Sequence, residues 1–253
     1  MNSYRIDELG AALRYVDLPG KRPVLFLHGL GSASSFAFPE IAEHPRLRHH
    51  RSILIDLLGF GYSDRPAAFS YSMHHQADIV ARLLDHLKVE GAALVGHSMG
   101  GAIAVLVANA RPSRVGRLVL AEANLDPEPG IVSGIVTQWQ EEEYVESRHA
   151  VFVAQMRSRG FADYAQTVST AAPVAMHRSA VDLIAHREPT FRNLLYTLPI
   201  PRDFLFGEEN LADPDVKRLP QEGIPVTIVR GAGHDMMADN PDDFADAIAD
   251  AIR

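Results

Sequence analysis

The stretch Leu94-Val95-Gly96-His97-Ser98-Met99-Gly100-Gly101 constrains this chain more than any other. It sets a Gly-x-Ser-x-Gly pentapeptide between a short apolar run, Ala92 to Val95, and a small-residue apolar segment, Ala102 to Ala108. The first reads as a buried strand and the second, apolar on every side, as a helix packed against a sheet. Joining them this closely demands a tight turn at Ser98, and glycines flank it because a Cβ at either position would collide with neighbouring backbone. Ser98 is therefore the candidate nucleophile.

With 253 residues, 47% of them hydrophobic, the chain can bury a full core as one domain with an inserted subdomain. Lys and Arg total 24 against 32 Asp and Glu, a formal charge of −8, and no long basic cluster interrupts this. Nucleic acid and an anionic membrane are thus not expected as partners; a small-molecule substrate is. The absence of cysteine excludes disulfides, thiolate metal sites and a cysteine nucleophile. Met1 to Gly10 has no apolar leader-like run, and no stretch is long enough to cross a bilayer, so the expected setting is soluble and cytoplasmic. Oligomeric state is not legible.

Short apolar runs alternate with longer amphipathic ones, which predicts βαβ units and an α/β fold with a mostly parallel central sheet flanked by helices. Strands are expected at Pro23–Leu27, Arg51–Asp56, Ala92–Val95, Arg117–Glu122, Asp203–Gly207 and Pro225–Val229. A helix is expected over Tyr71–Val89 with Ser72 as N-cap, and a last one starts at Asn240-Pro241, Asn capping and Pro at the first helical position. From about 124 to 198 the β signal disappears and several helical segments follow, too long for a simple crossover. The expected division is a core of residues 1–123 and 199–253 with an inserted helical cap, 124–198.

A serine hydroxyl needs a base to become a nucleophile. Of twelve histidines, His234 stands out: it lies in Arg230-Gly231-Ala232-Gly233-His234-Asp235, directly after the last strand, where a loop at the carboxyl edge of a parallel sheet projects toward the turn at Ser98. His97, adjacent to Ser98, points elsewhere and packs or fixes the turn. No His-Glu-x-x-His or comparable ligand spacing exists, so no metal is expected.

These residues resemble those of the α/β-hydrolases. The resemblance rests on His28-Gly29-Leu30-Gly31-Ser32, on Asp56-Leu57-Leu58-Gly59-Phe60-Gly61-Tyr62-Ser63-Asp64, on the Ser98 pentapeptide and on Gly231-Ala232-Gly233-His234, in the family's order. It implies an oxyanion hole from two backbone N–H groups, which fall on Met99 and Leu30. It also implies an acid to orient His234. In much of the family that acid is the fourth residue of a Gly-x-x-Asp turn after the strand that follows the cap, but here the turn is Gly207-Glu208-Glu209-Asn210. Asn210 could orient an imidazole but would stabilise its charged form poorly. Relatives such as the haloalkane dehalogenases carry the acid at the end of the strand before the cap, where this chain has Glu122. Glu122 is preferred over Glu208 and Glu209, with Asp126 an outsider; a solvated hinge role for Glu122 stays open. A serine in place of the dehalogenases' aspartate disfavours dehalogenation.

The expectation is a serine hydrolase acting on a small, mainly apolar ester or lactone through an acyl-enzyme, without a cofactor. Two alternatives remain: a hydrolase cleaving carbon–carbon bonds of diketones, and a ligand receptor on the same scaffold with slow turnover. In the cap, Trp139, Phe152, Met156, Phe161, Tyr164 and Met176 either line an apolar pocket or pack the helices together. Glu141-Glu142-Glu143 either attracts an amine or is a solvated face.

Overall fold

The computed structural model describes residues 1–253. Eight strands, β1 (Asn2–Ile6), β2 (Ala11–Leu18), β3 (Pro23–Leu27), β4 (Arg51–Asp56), β5 (Ala92–His97), β6 (Val115–Ala121), β7 (Arg202–Gly207) and β8 (Val226–Val229), form one sheet in the order β1-β2-β4-β3-β5-β6-β7-β8. From β4 to β8 every neighbouring pair is parallel, as the alternation of short strands and helices requires. β1 and β2 are antiparallel additions at one edge and were not anticipated from the sequence. β1 is exposed or half-exposed except at Ile6, β2 alternates between buried and half-exposed residues, and the two include Arg5, Arg14 and Asp17, so they lack the continuous apolar run that marks a strand covered on both faces.

Both faces of the parallel strands are buried, and the two-residue period divides their side chains between two apolar layers. Leu25, Leu27, Ile53, Ile55 and Leu94 join the layer that holds Ile79, Leu83 and Ile103, from helices Met73–His86 and Met99–Ala110. Val24, Phe26, Leu54, Val95 and Leu205 join the layer that holds Ile41, Phe244 and Ile248, from Pro39–Glu43 and Pro241–Ala251. The predicted caps are in place. Ser72 accepts from His75 N–H at 3.3 Å, and Asn240 accepts from Asp243 N–H at 3.2 Å behind Pro241.

Between β6 and β7 the chain is helical with no strand: Ile131–Val136, Glu141–Glu143, a wider turn over Tyr144–Arg148 running into His149–Ser158, then Ala162–Thr170, Pro173–Leu183 and Phe191–Thr197. This insert sits on the loops that leave the carboxyl ends of β3 and β4. Tyr164 Oη donates to Leu30 O at 2.9 Å, Ala172 N–H to Gly59 O at 2.8 Å and Ser179 Oγ to Tyr71 O at 3.0 Å. Asp182 accepts the N–H of Met73 at the start of its helix, at 2.8 Å. No helix is long and apolar enough to cross a membrane.

Candidate active site

Ser98 occupies the single residue between β5 and the helix Met99–Ala110, with φ 52° and ψ −120°, a conformation an L residue adopts only under constraint. The constraint is close packing. A Cβ on Gly96 would lie 2.6 Å from Gly100 O, and one on Gly100 would lie 2.2 Å from Leu27 O, so only glycine lets the helix start this near the strands. The Ser98 N–H donates to Ala121 O at 2.9 Å, tying the turn to the end of β6.

The next residue along that strand end is Glu122, also at positive φ, 42°. Its carboxylate is almost fully covered and accepts three hydrogen bonds: His234 Nδ1 to Oε2 at 2.7 Å, Gly207 N–H to Oε1 at 3.0 Å and Asn210 Nδ2 to Oε1 at 2.7 Å. Burial pushes the carboxyl up, but the hydrogen bonds from His234, Asn210 and Gly207 outweigh it and hold the group below the ordinary carboxylate value. For His234 the balance is the mirror image. Desolvation works against the imidazolium, whereas the Glu122 hydrogen bond and charge, with Asp235 and Asp239 nearby, raise it above the ordinary imidazole value. Nδ1 is engaged by Glu122, and the other ring nitrogen, Nε2, makes no hydrogen bond within the protein.

The other acids considered lie elsewhere. Glu208 accepts the N–H of Gly231 at 2.8 Å, a Glu209 carboxylate oxygen borders Gly233, and Asp126 pairs with Arg192. The Asn210 amide supports the Glu122 carboxylate rather than the imidazole. Glu122 is not a solvated hinge.

His97 braces this arrangement, as expected of a residue that fixes the turn. Its buried ring donates from Nε2 to the carbonyl oxygen of His234 at 2.9 Å, and desolvation together with His234 pushes its pKa down to about 3, so it stays neutral. At rest the Ser98 hydroxyl donates to Asn124 Oδ1 at 3.2 Å. Asn124 carried no sequence signal, because nothing in a run of Ala-Asn-Leu says that its amide turns back onto the pentapeptide.

The loop after β3 is ordered from beneath. His28 is fully buried, donates from Nδ1 to Gly29 O at 2.8 Å and accepts Leu57 N–H on Nε2 at 3.1 Å. Gly29 O also accepts from Ser32 N–H at 3.2 Å. In a trans peptide the N–H points opposite to the C=O, so two donors on Gly29 O turn the N–H of Leu30 the other way. That N–H has no partner within the protein, and Met99, as first residue of its helix, has none in a preceding turn. Buried N–H groups without partners are rare in folded proteins, and those that exist call for an explanation.

The insert's side chains separate the two readings given for them. Phe152 and Met156 are buried, Met176 is buried with its Sδ 3.2 Å from where a Cβ on Gly31 would stand, Phe161 is exposed, and Trp139 is covered by the Arg148 guanidinium 3.9 Å from its ring centre. Tyr164 alone among the six reaches the Leu30 loop by a hydrogen bond. In the acidic run Glu141 is held by Arg178 and Glu143 by Arg148, while Glu142 is exposed.

Residues 22–237 match the family model described as alpha/beta hydrolase fold. Over 104 residues the chain is 40% identical to a 2-hydroxymuconate semialdehyde hydrolase of Pseudomonas sp. strain CF600, a match covering 39% of this chain and 35% of that one. The first curated relatives are matched over only 35% to 42% of their length. Among solved structures, an esterase from Exiguobacterium antarcticum superposes with a TM-score of 0.78 at 21% identity, covering 96% of each chain. Est816, described as an N-acyl homoserine lactone degrading enzyme, superposes at 0.74 and 22% identity, covering 98% of each. At such identities the superpositions speak to the fold.

Proposed function

Since the chain belongs to the α/β-hydrolase fold family, we propose that it is a serine hydrolase cleaving a small, mainly apolar ester or lactone through an acyl-enzyme. In this reading residues 124–198 are the cap over a core of 1–123 and 199–253. The observation that carries it is the 2.7 Å hydrogen bond from His234 Nδ1 to Glu122, one residue beyond the carbonyl that receives the Ser98 N–H. It gives the base an ionised partner for its charged form, which the neutral amide in the usual acid position could not.

The substrate carbonyl lies against the N–H groups of Leu30 and Met99. Ser98 Oγ leaves Asn124 and attacks the carbonyl carbon while His234 Nε2 takes its proton. The imidazolium so formed is met by the ionised Glu122, and the oxyanion by the two N–H groups. As the intermediate collapses, the bond to the leaving oxygen breaks and that oxygen receives the proton from Nε2. Water then repeats the sequence on the acyl-enzyme, releasing the acid. The chemistry needs no cofactor.

The partial identity to a 2-hydroxymuconate semialdehyde hydrolase favours one other reading, cleavage of a carbon–carbon bond in a diketone-like substrate by the same groups. Comparing p-nitrophenyl butyrate with a vinylogous diketone separates the two. In either case S98A should lower turnover by at least about 10⁴-fold while leaving the circular dichroism and melting of the fold in place. Wild-type turnover by S98A would end the reading; ligand binding with no turnover by the wild type would replace it with a receptor.

A further inference from the structure

Tyr164 lies on the helix Ala162–Thr170, yet its hydroxyl leaves the insert to donate to Leu30 O at 2.9 Å. That hydroxyl is the only partner of this carbonyl. Burial pushes the phenol above its ordinary value, so near neutral pH it keeps the proton it donates. The preceding peptide is held by His28 and Ser32, whose bonds to Gly29 O turn the Leu30 N–H outward. The following peptide, Leu30–Gly31, has no such support from the core. It ends on Gly31 at φ 79°, where the missing side chain makes rotation of the peptide cheap. The insert closes over this spot: a Cβ on Gly31 would lie 2.8 Å from Tyr164 Oη and 2.8 Å from Val168 Cγ2.

We propose that Tyr164 is a positioning residue for the oxyanion loop, by which the seating of the helical insert sets the orientation of the Leu30 backbone beside the reacting carbonyl. The inference rests on the reading that Leu30 N–H receives the oxyanion. Held by Tyr164, the Leu30 carbonyl keeps its negative end toward the insert. Released, the Leu30–Gly31 peptide can rotate about the two bonds that flank it, carrying that oxygen off the insert and loosening the residue whose N–H does the binding. An insert displaced by a poorly fitting substrate would release the loop in the same way, so catalysis is tied to closure of the insert.

The test is Y164F, which keeps the ring and removes only the donor. Loss of one complete oxyanion donor costs about 10²–10³-fold in kcat, so a loosened donor should cost about 10- to 100-fold. The fall should lie in kcat, with KM for p-nitrophenyl butyrate within about twofold of wild type. Affinity for butylboronic acid, a tetrahedral mimic, should drop by the same factor as kcat. Deuterium exchange in peptides spanning residues 28–33 should accelerate while exchange in β5 and β6 stays as in wild type. Unchanged kcat and boronate affinity would overturn the inference and leave the hydrolase reading standing, as would a change confined to KM, which marks a substrate contact. Should the wild type itself turn over neither ester nor diketone, the hydrolase reading falls; the exchange comparison then decides the anchor alone, and equal exchange over 28–33 overturns it.

Discussion

Two donors, Gly207 N–H and Asn210 Nδ2, converge on Glu122 Oε1, while Oε2 faces His234 Nδ1. A glutamine in this place would have to turn its carbonyl oxygen to the two donors and its NH2 to the imidazole. The ring would then hold its proton on Nε2, the nitrogen that in the proposed mechanism receives one from Ser98. E122Q is therefore expected to lower kcat by about 10³–10⁴-fold with little change in fold. The same pair sets the pH response. The wild-type kcat/KM should rise through an apparent pKa above the ordinary imidazole value of 6.5, and the residual activity of E122Q should rise through a lower one. A wild-type limb at or below 6.5 would contradict the assigned pairing. Stability runs the other way: a raised imidazole pKa stabilises the fold below the unfolded value and loses that contribution as pH climbs through the folded value. The lowered Glu122 pKa contributes above its unfolded value and is lost as pH falls through the folded one. Near neutrality, then, the His234 pair favours folding most where the base is least able to act.

Among the elements, the strand-to-helix turn was read from the sequence almost complete, because its signal is local: glycines at 96, 100 and 101 mark where side chains would strike Gly100 O, Leu27 O and Ala123. The turn stores strain at Ser98, and that strain is measurable. S98A and S98G both lack the hydroxyl, but only glycine is at ease at φ 52°. S98G should be more stable than S98A by about 1 kcal/mol in urea unfolding, the relief of strain exceeding glycine's greater freedom in the unfolded chain. Equal stabilities would show that the turn is relaxed. The β1–β2 hairpin went unread for the opposite reason. A five-residue edge strand that is exposed or half-exposed except at Ile6, and a neighbour that alternates over eight residues interrupted by charges, do not stand out from a loop.

For the molecule as a whole, the insert must be held in register with the sheet if it is to close over the site. Arg192, on the last helix of the insert, bridges Asp126 at its beginning and Asp215, which starts the helix leading to β8. Its side chain is 12% exposed and that of Asp215 is 13%, so removing the cation leaves a carboxylate with little access to water and only the exposed Arg218, at 3.6 Å, as a partner. R192M should cost about 3 kcal/mol in urea unfolding, more than any exposed ion pair contributes. A loss under about 1 kcal/mol would show that the bridge does not hold the insert.

The local chain dictated the turn at Ser98, the strands from β3 onward and their parallel direction, the helical character of 124–198 and the histidine-bearing loop. Each depends on residues a few positions apart, through hydrophobic period, glycine placement and helix caps. The sequence narrowed the acid to a few candidates and could go no further. Pairing Glu122 with His234 joins positions 112 apart in the chain, and which carboxylate reaches the ring depends on β6, β7 and β8 lying side by side in a register that sets Ala121 opposite Leu205 and Gly207 opposite Val229. The same holds for Tyr164 on Leu30 and Asn124 on Ser98. Hydrogen bonds between distant segments are decided when the sheet assembles, since no pattern of neighbours along the chain specifies which side chain will stand 2.7 Å from another.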